Sequence, residues 1–441
     1  MRKVLRFFEY EKVKFNQVYF DAITGKELFL KDYGPSLRKY HTKMDGLYYE
    51  LMDNGLRFKE HVGVIQIDDL TIEVLPKIDR QVKSQDKVKQ RLKWHDVLLE
   101  MLKECRFLLP ESADYAHLKL KSNHVLELYF EKYVAELEEL LHRGLIKKYV
   151  NVQENCNALK GRLLFNQHVQ RNSIHAQRFY VSHSLYSSSH LLHQVLKQAL
   201  VVVKGLSGFS RLTERINTLL SVWPVGAEVK ITEAVFNKLV INRKTKPYQE
   251  AILIARMILL NYHPDLRGGS QNVFALMFNM NALWEEFIFQ RLKSLQKEFN
   301  WKVSNQKQIK YWTGEKGSKK LIPDIIIECQ TTKRVMVIDT KWKCPVNLKP
   351  DDHDLRQLLS YKLYFKGDLS YLLYPGSESG GLIQGAYHNQ AHRTKAPVFL
   401  EELGRGSGLI FLDVLQDHNL ISKKKFSLDK TLLTVRERLA E

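Results

Sequence analysis

The apolar and polar positions of this chain change period along its length. In HVGVIQIDDLTIEVLPKI (61–78) two alternating runs flank Asp68 and Asp69, which predicts a β-hairpin ended by Pro76. From about residue 92 the period becomes helical. In VLELYFEKYVAELEELLHRGL the residues Leu126, Tyr129, Phe130, Tyr133, Val134, Leu137, Leu140 and Leu141 recur three or four apart, with Asn123 as the expected N-cap and Gly144 as the C′ residue. Further helices are predicted at 190–204 and 249–261, and NYHPDLRGGSQN (261–272) has the Pro, Gly and Asn content of a junction. Beyond it come a helix over 280–299, strands at 325–327 and 335–338 joined by the polar turn Cys329 to Arg334, a helix over 351–365, and strands at 369–375 and 408–415. The pattern predicts an α/β multidomain chain: a β-rich N-terminal domain at 1–91, a mainly helical middle region at 92–265, and a mixed sheet flanked by helices at 266–441.

Two strands of that last sheet carry charges where a buried hairpin has no structural need of them. Asp324 opens the first, Asp339 sits near the end of the second, and Lys341 follows two residues later. Residues i and i+2 of a strand share a face, so Asp339 and Lys341 point the same way. Neighbouring strands lie ~4.8 Å apart, which lets Asp324 and Asp339 converge. Two buried like charges are costly, so a cation or a shared proton must compensate. A hard cation with oxygen ligands, Mg²⁺ or Mn²⁺, fits, with Lys341 orienting or deprotonating a water and offsetting charge at a phosphate. Glu285, on the helix before the sheet, is a further carboxylate in reach, while Glu286 points about 100° away. Gln357 and Tyr361 share one face of the helix that follows.

Charge sharpens this reading. Lys plus Arg outnumber Asp plus Glu by 68 to 49, a formal +19, and residues 301–350 alone carry +7. Such an excess favours a polyanion, and Lys302, Lys307, Lys310, Lys316, Lys319 and Lys320 just before the acids suit the phosphates of double-stranded DNA. Four cysteines without a CxxC pair indicate neither a disulfide framework nor a zinc knuckle. No apolar signal region or membrane-length stretch is evident, so a cytoplasmic protein is expected. No GxxxxGK[ST] is present, and GRGSG (404–408) lacks the Lys, so no nucleotide is expected to bind this chain. His183, His190 and His193 lie close in sequence but lack a fixed third ligand, and read as polar or packing histidines.

A Pro-Asp, then fifteen residues to Asp-x-Lys, with an upstream helical Glu and a downstream QxxxY, resembles the PD-(D/E)xK nucleases. Stretches along the whole chain resemble the McrC family: GVIQIDDLTIEVLPKI, HRGLIKKY (142–149), NALKGRL (157–163), MNALWEEF (280–287) and DTKWK (339–343). That resemblance implies the nuclease subunit of a modification-dependent (5-methylcytosine-type) restriction complex. Its implied partner is an McrB-like AAA+ GTPase, contacted through 92–265 and stimulated by this chain. Two departures stand out. The family's Asp-Met-Asn is here Asn279-Met280-Asn281, and SLYSSSHLLHQVLKQAL lacks the expected acids. Two other readings remain at this point: a stand-alone PD-(D/E)xK repair nuclease, and a non-catalytic activator of an AAA+ motor. The intact acids and lysine argue against the second, and the long N-terminal half against the first.

Overall fold

The computed structural model describes residues 3–77, 87–105, 125–175, 177–207, 210–226, 228–263, 273–314, 317–343, 345–376, 381–387, 406–413, 415–416 and 419–441. It divides into two compact units. One comprises Met1–Lys3, Val64–Thr71 and Glu111–Leu276, and the other Val4–Gly63, Ile72–Pro110 and Met277–Glu441. The expected N-cap Asn123, most of the junction 261–272, Lys316 and Cys344 lie outside the described residues. No helix among the described residues is long and apolar enough to cross a membrane.

The first unit is built on helices Val125–His142, Leu191–Leu206, Ser210–Val222 and Gln249–Asn261. Their apolar stripes form its core: Tyr129, Tyr133, Val134, Leu137, Leu196, Leu200, Ala255 and Ile258 are all buried. Tyr133 is a core residue at helical spacing, and its hydroxyl donates to the Leu196 carbonyl at 2.7 Å. Gly144 takes φ +84° at the C′ position, the left-handed conformation that ends a helix without a Cβ penalty. The middle of the chain is not only helical. Lys148–Cys156, Arg162–Leu163 and Phe179–Ser187 form a three-stranded antiparallel sheet. Lys148–Cys156 is largely exposed and Phe179–Ser187 mostly half-buried or exposed, so neither carries the strong alternation that would have marked it in the sequence.

The second unit holds a six-stranded mixed sheet. Helix α1 (Met280–Ser294) precedes strand β1 (Trp301–Asn305), a separate two-stranded ribbon of β2 (Ile309–Gly314) and β3 (Gly317–Leu321), and then β4 (Ile325–Cys329) and β5 (Val335–Thr340). Helix α2 (Asp352–Tyr364) crosses to β6 (Leu369–Pro375), followed by β7 (Leu382–Gly385) and β8 (Ser407–Leu412). The sheet order is β1-β4-β5-β6-β8-β7. Strands β4 and β5 are an antiparallel hairpin, whereas β5, β6 and β8 run parallel, as a helical crossover requires. β5, β6 and β8 are buried almost throughout, the mark of a sheet covered on both faces. α2 covers one face with Leu358, Tyr361 and Phe365 against Ile326, Val337, Leu372, Tyr374, Leu409 and Phe411. α1 is capped by Asn279, whose side chain accepts from the Asn281 and Ala282 amides at 3.0 and 3.2 Å. Asn and Asp cap equally well, so the departure from Asp-Met-Asn leaves the cap intact.

The N-terminal strands pack in this same unit. Glu9, 2% exposed, accepts from the Trp342 indole N–H at 2.7 Å and the Lys77 amide at 2.9 Å. On α1, the buried Arg291 guanidinium donates from Nε and Nη2 to the two carboxylate oxygens of Glu104, at 2.5 and 2.8 Å. These contacts join elements on either side of residue 265, so the compact units do not follow the three segments read from the sequence.

Burial pushes the Glu9 carboxyl up to about 7 against the Lys77 and Trp342 donors, with the charge of Glu60 adding to the rise. Folded protein therefore keeps a proton that the unfolded chain releases above the ordinary glutamate range, and stability from this group falls as pH rises through about 7. Glu9→Gln keeps the acceptor but not the charge. We expect it to be more stable than wild type at pH 8.5, by an amount on the order of 2 kcal/mol, with the advantage gone at pH 4, below the unfolded value of 4.5. Denaturant midpoints of the two proteins across that range check the sign.

Candidate active site

The ends of β4 and β5 bring the sequence-predicted residues together. Register pairs Ile325 with Ile338, so one step further sets Asp324 beside Asp339. The Asp324 carboxylate accepts from the Thr340 amide at 2.6 Å and the Thr340 hydroxyl at 2.8 Å, which locks it across the strand pair. Asp339 is 1% exposed and forms an ion pair with the Lys341 ammonium at 2.8 Å. Lys341 donates to Gln357 Oε1 at 3.2 Å; Gln357 donates to the Tyr361 hydroxyl at 2.7 Å, and Tyr361 in turn to the Ile322 carbonyl at 3.0 Å. A chain of hydrogen bonds thus runs from the lysine through α2 to the backbone just before Asp324. Glu285 faces the same acids from α1 with a hydrogen bond to Gln306. Glu286 points elsewhere, as its helical offset predicts, and accepts from Gln290 at 2.6 Å.

Sequence reasoning missed one member. Asp354, buried on α2, lies 3.4 Å from the Lys341 ammonium and 2.6 Å from that of Lys343, which also pairs with Asp351. The signal was present: Asp354, Gln357 and Tyr361 stand at i, i+3 and i+7, one face of a helix. Within DDHD at a helix start, however, Asp354 resembles ordinary first-turn acids.

Electrostatics show how strongly these groups constrain one another. Burial, then the charge of Asp324, pushes Asp339 up to about 7 against the pull of Lys341. Glu285 is likewise raised to about 7, by burial first and Asp324 second. Burial also raises Asp324, opposed by the two Thr340 donors and Lys341. For Lys341, burial works to lower the ammonium, but Asp339 and Asp354 outweigh it and hold the group above its ordinary value.

All the acids offer oxygen donors, and three of them are held above their ordinary range by burial, to which the charge of Asp324 adds at Asp339 and Glu285. That donor set fits a hard divalent cation, which would relieve the repulsion the two lysines leave uncompensated.

The histidines of the first unit do other work. His190 and His193 stack with ring centroids 4.2 Å apart. His190 contacts the Ile146 carbonyl, and His193 contacts the Ser188 carbonyl and the Tyr248 hydroxyl. His183 lies apart from them, with Glu154 and Cys156; one ligand atom of each lies within 4.8 Å of the others.

A family model described as McrBC 5-methylcytosine restriction system component matches residues 56–375. No curated protein matches the chain. Among solved structures, a chain of the refined half-complex from the tetradecameric assembly of Thermococcus gammatolerans McrB AAA+ hexamers with bound McrC is similar to this one. The TM-score is 0.63 at 15% identity, over 98% of this chain and 100% of that chain. A chain of the cryo-EM structure of the Thermococcus gammatolerans McrBC complex gives a TM-score of 0.46 at 16% identity, over 66% of this chain and 87% of that one. The first likeness establishes a shared fold along nearly the whole length.

Removing the cation from this cluster should expose the repulsion it masks. Lys341→Met is expected to destabilise the protein, and adding Asp339→Asn to recover most of the loss. The double-mutant cycle should give a coupling on the order of 1–3 kcal/mol. Denaturant unfolding in EDTA measures it; strictly additive effects contradict the pairing.

Proposed function

This chain belongs to the McrBC 5-methylcytosine restriction system component family, and we propose that it is the subunit that cuts DNA. Pro323-Asp324 and Asp339-Thr340-Lys341 act as the two halves of a PD-(D/E)xK site, in an endonuclease domain of that fold. The observation that carries the reading is the convergence of Asp324, Asp339, Glu285 and Lys341 at one end of a buried hairpin. A structural core gains nothing from such a cluster, which costs stability instead.

Asp324, Asp339 and Glu285 would hold Mg²⁺ or Mn²⁺. Bound there, the ion supplies an activated water and neutralises charge at the scissile phosphate. Lys341, kept protonated by the acids around it, donates to the phosphate as negative charge builds on it. Gln357 and Tyr361 fix the position of that ammonium, and Gln357 also faces the DNA phosphate. Hydrolysis adds water across one P–O bond and leaves a phosphate monoester and a hydroxyl.

The partner we propose is an McrB-like AAA+ GTPase oligomer, since the structure of similar fold is an assembly of McrB AAA+ hexamers with bound McrC. The nucleotide would be bound by the partner, and this chain would stimulate its hydrolysis. Both would act in the cytoplasm on double-stranded DNA carrying modified cytosine.

Asp339→Ala and Lys341→Ala are expected to lower Mg²⁺-dependent cleavage of methylated DNA, in the presence of the GTPase, by roughly 100-fold or more. Stimulation of GTP hydrolysis should survive in both variants. Cleavage at the wild-type rate in either one overturns the site; metal-dependent cleavage without any GTPase effect favours the stand-alone nuclease.

A further inference from the structure

We propose that the β2–β3 ribbon is a docking arm for duplex DNA, gripping backbone phosphates beside the site of cleavage. This inference rests on the nuclease reading and names the element that holds its substrate.

The ribbon is not part of the six-stranded sheet; it forms a two-stranded sheet of its own. Isolated two-stranded ribbons are marginal in water, so this one depends on its base. There Ile309 and Leu321 pack against the cluster of Ile326, Val337, Tyr361 and Phe365, and Tyr311 meets Tyr364 of α2 edge-on at 6.0 Å. The anchoring residues thus belong to the elements that carry Asp324, Asp339 and Gln357. Only two residues, Ile322 and Pro323, separate the end of β3 from Asp324.

Beyond its base the ribbon buries almost nothing. IKYWTG and GSKKL contain three lysines and no acid, and their side chains are exposed apart from the half-buried Ile309, Gly314 and Leu321. Lys310 stands directly opposite Lys320, and Lys319 opposite Trp312. Like charges facing each other across a ladder are destabilising, yet among the described residues no carboxylate pairs with Lys310, Lys319 or Lys320. A polyanion is the ligand that turns this unfavourable pairing into a gain, because each lysine that meets a phosphate releases counterions.

Trp312 adds a fixed apolar surface to the cations. It is 54% exposed, and its ring lies over Gly314 so closely that a Cβ there would come within 2.4 Å of it. The glycine therefore lets the indole lie flat along the ribbon and face outward. At ~3.4 Å per residue, Gly317 is at most about 25 Å of chain from Asp324, within one turn of a B-form duplex (~34 Å). β-ribbons of this width enter or straddle DNA grooves.

The test uses the full chain in EDTA, so that binding is read without cleavage. A labelled 30-base-pair duplex is titrated at several KCl concentrations with wild type and with K310Q/K319Q/K320Q. The triple variant is expected to bind at least about tenfold more weakly at 0.1 M salt, and its slope of log K against log salt should be shallower by about 2.7. Its melting temperature should not fall, because the Lys310–Lys320 repulsion is gone, and its stimulation of the GTPase should be unchanged. Equal affinity and slope overturn the proposal even if the chain cleaves DNA normally. Lost GTPase stimulation with DNA binding intact overturns it too, by making the ribbon a partner surface. Ribbon-dependent binding in a chain that never cleaves with Mg²⁺ would uphold the arm and sink the nuclease reading.

Discussion

Charge buried at the end of β5 is the constraint around which the second unit is arranged. Asp339 is almost wholly removed from water, with Asp324 beside it, Lys341 against it and Asp354 behind the lysine. Taking such groups out of water carries an effective penalty of about several kcal/mol per ion, which geometry must offset. The apolar residues of β4, β5 and β6 and the helix packed over them supply the stability that this arrangement consumes. Each surrounding element contributes one fixed group: Thr340 holds Asp324, Gln357 and Tyr361 hold Lys341, and Gln306 holds Glu285. A site built in this way is preorganised, and its chemistry comes at the expense of fold stability.

The N-terminal strands belong to that support. Trp342 follows Lys341 directly, and its indole is pinned by the buried Glu9 and packed 5.3 Å from Trp284 of α1. α1, which brings Glu285, is in turn tied to Glu104 through Arg291. The elements that carry Lys341 and Glu285 are thus both braced by parts of the chain more than 150 residues away in sequence.

Much of this was legible in the sequence because it was local. The hairpin of β4 and β5, the helix α2 and strand β6 announce themselves through runs of β-branched residues and three-to-four spacing, and β6 occupies the residues read as a strand at 369–375. Asp324, Asp339 and Lys341 were visible as charges that a core has no use for. What escaped was non-local or disguised. Glu9 is one of two acids in a charged stretch until Trp342 reaches it, Asp354 hides among first-turn acids, and the sheet at 148–187 is mostly exposed or half-buried and so weakly patterned. Strand pairing between distant segments leaves no periodic trace, so the two-unit division could not be read from composition.

Whether the converging acids form a divalent cation site is read by titrating the metal-free full chain with Mn²⁺ in a calorimeter. One binding event is expected in wild type; it should disappear in Asp339→Asn, where one ligand charge is lost, and persist in Glu154→Gln, which alters only the separate cluster with Cys156 and His183. Binding unchanged by Asp339→Asn, or abolished by Glu154→Gln alone, would contradict such a site.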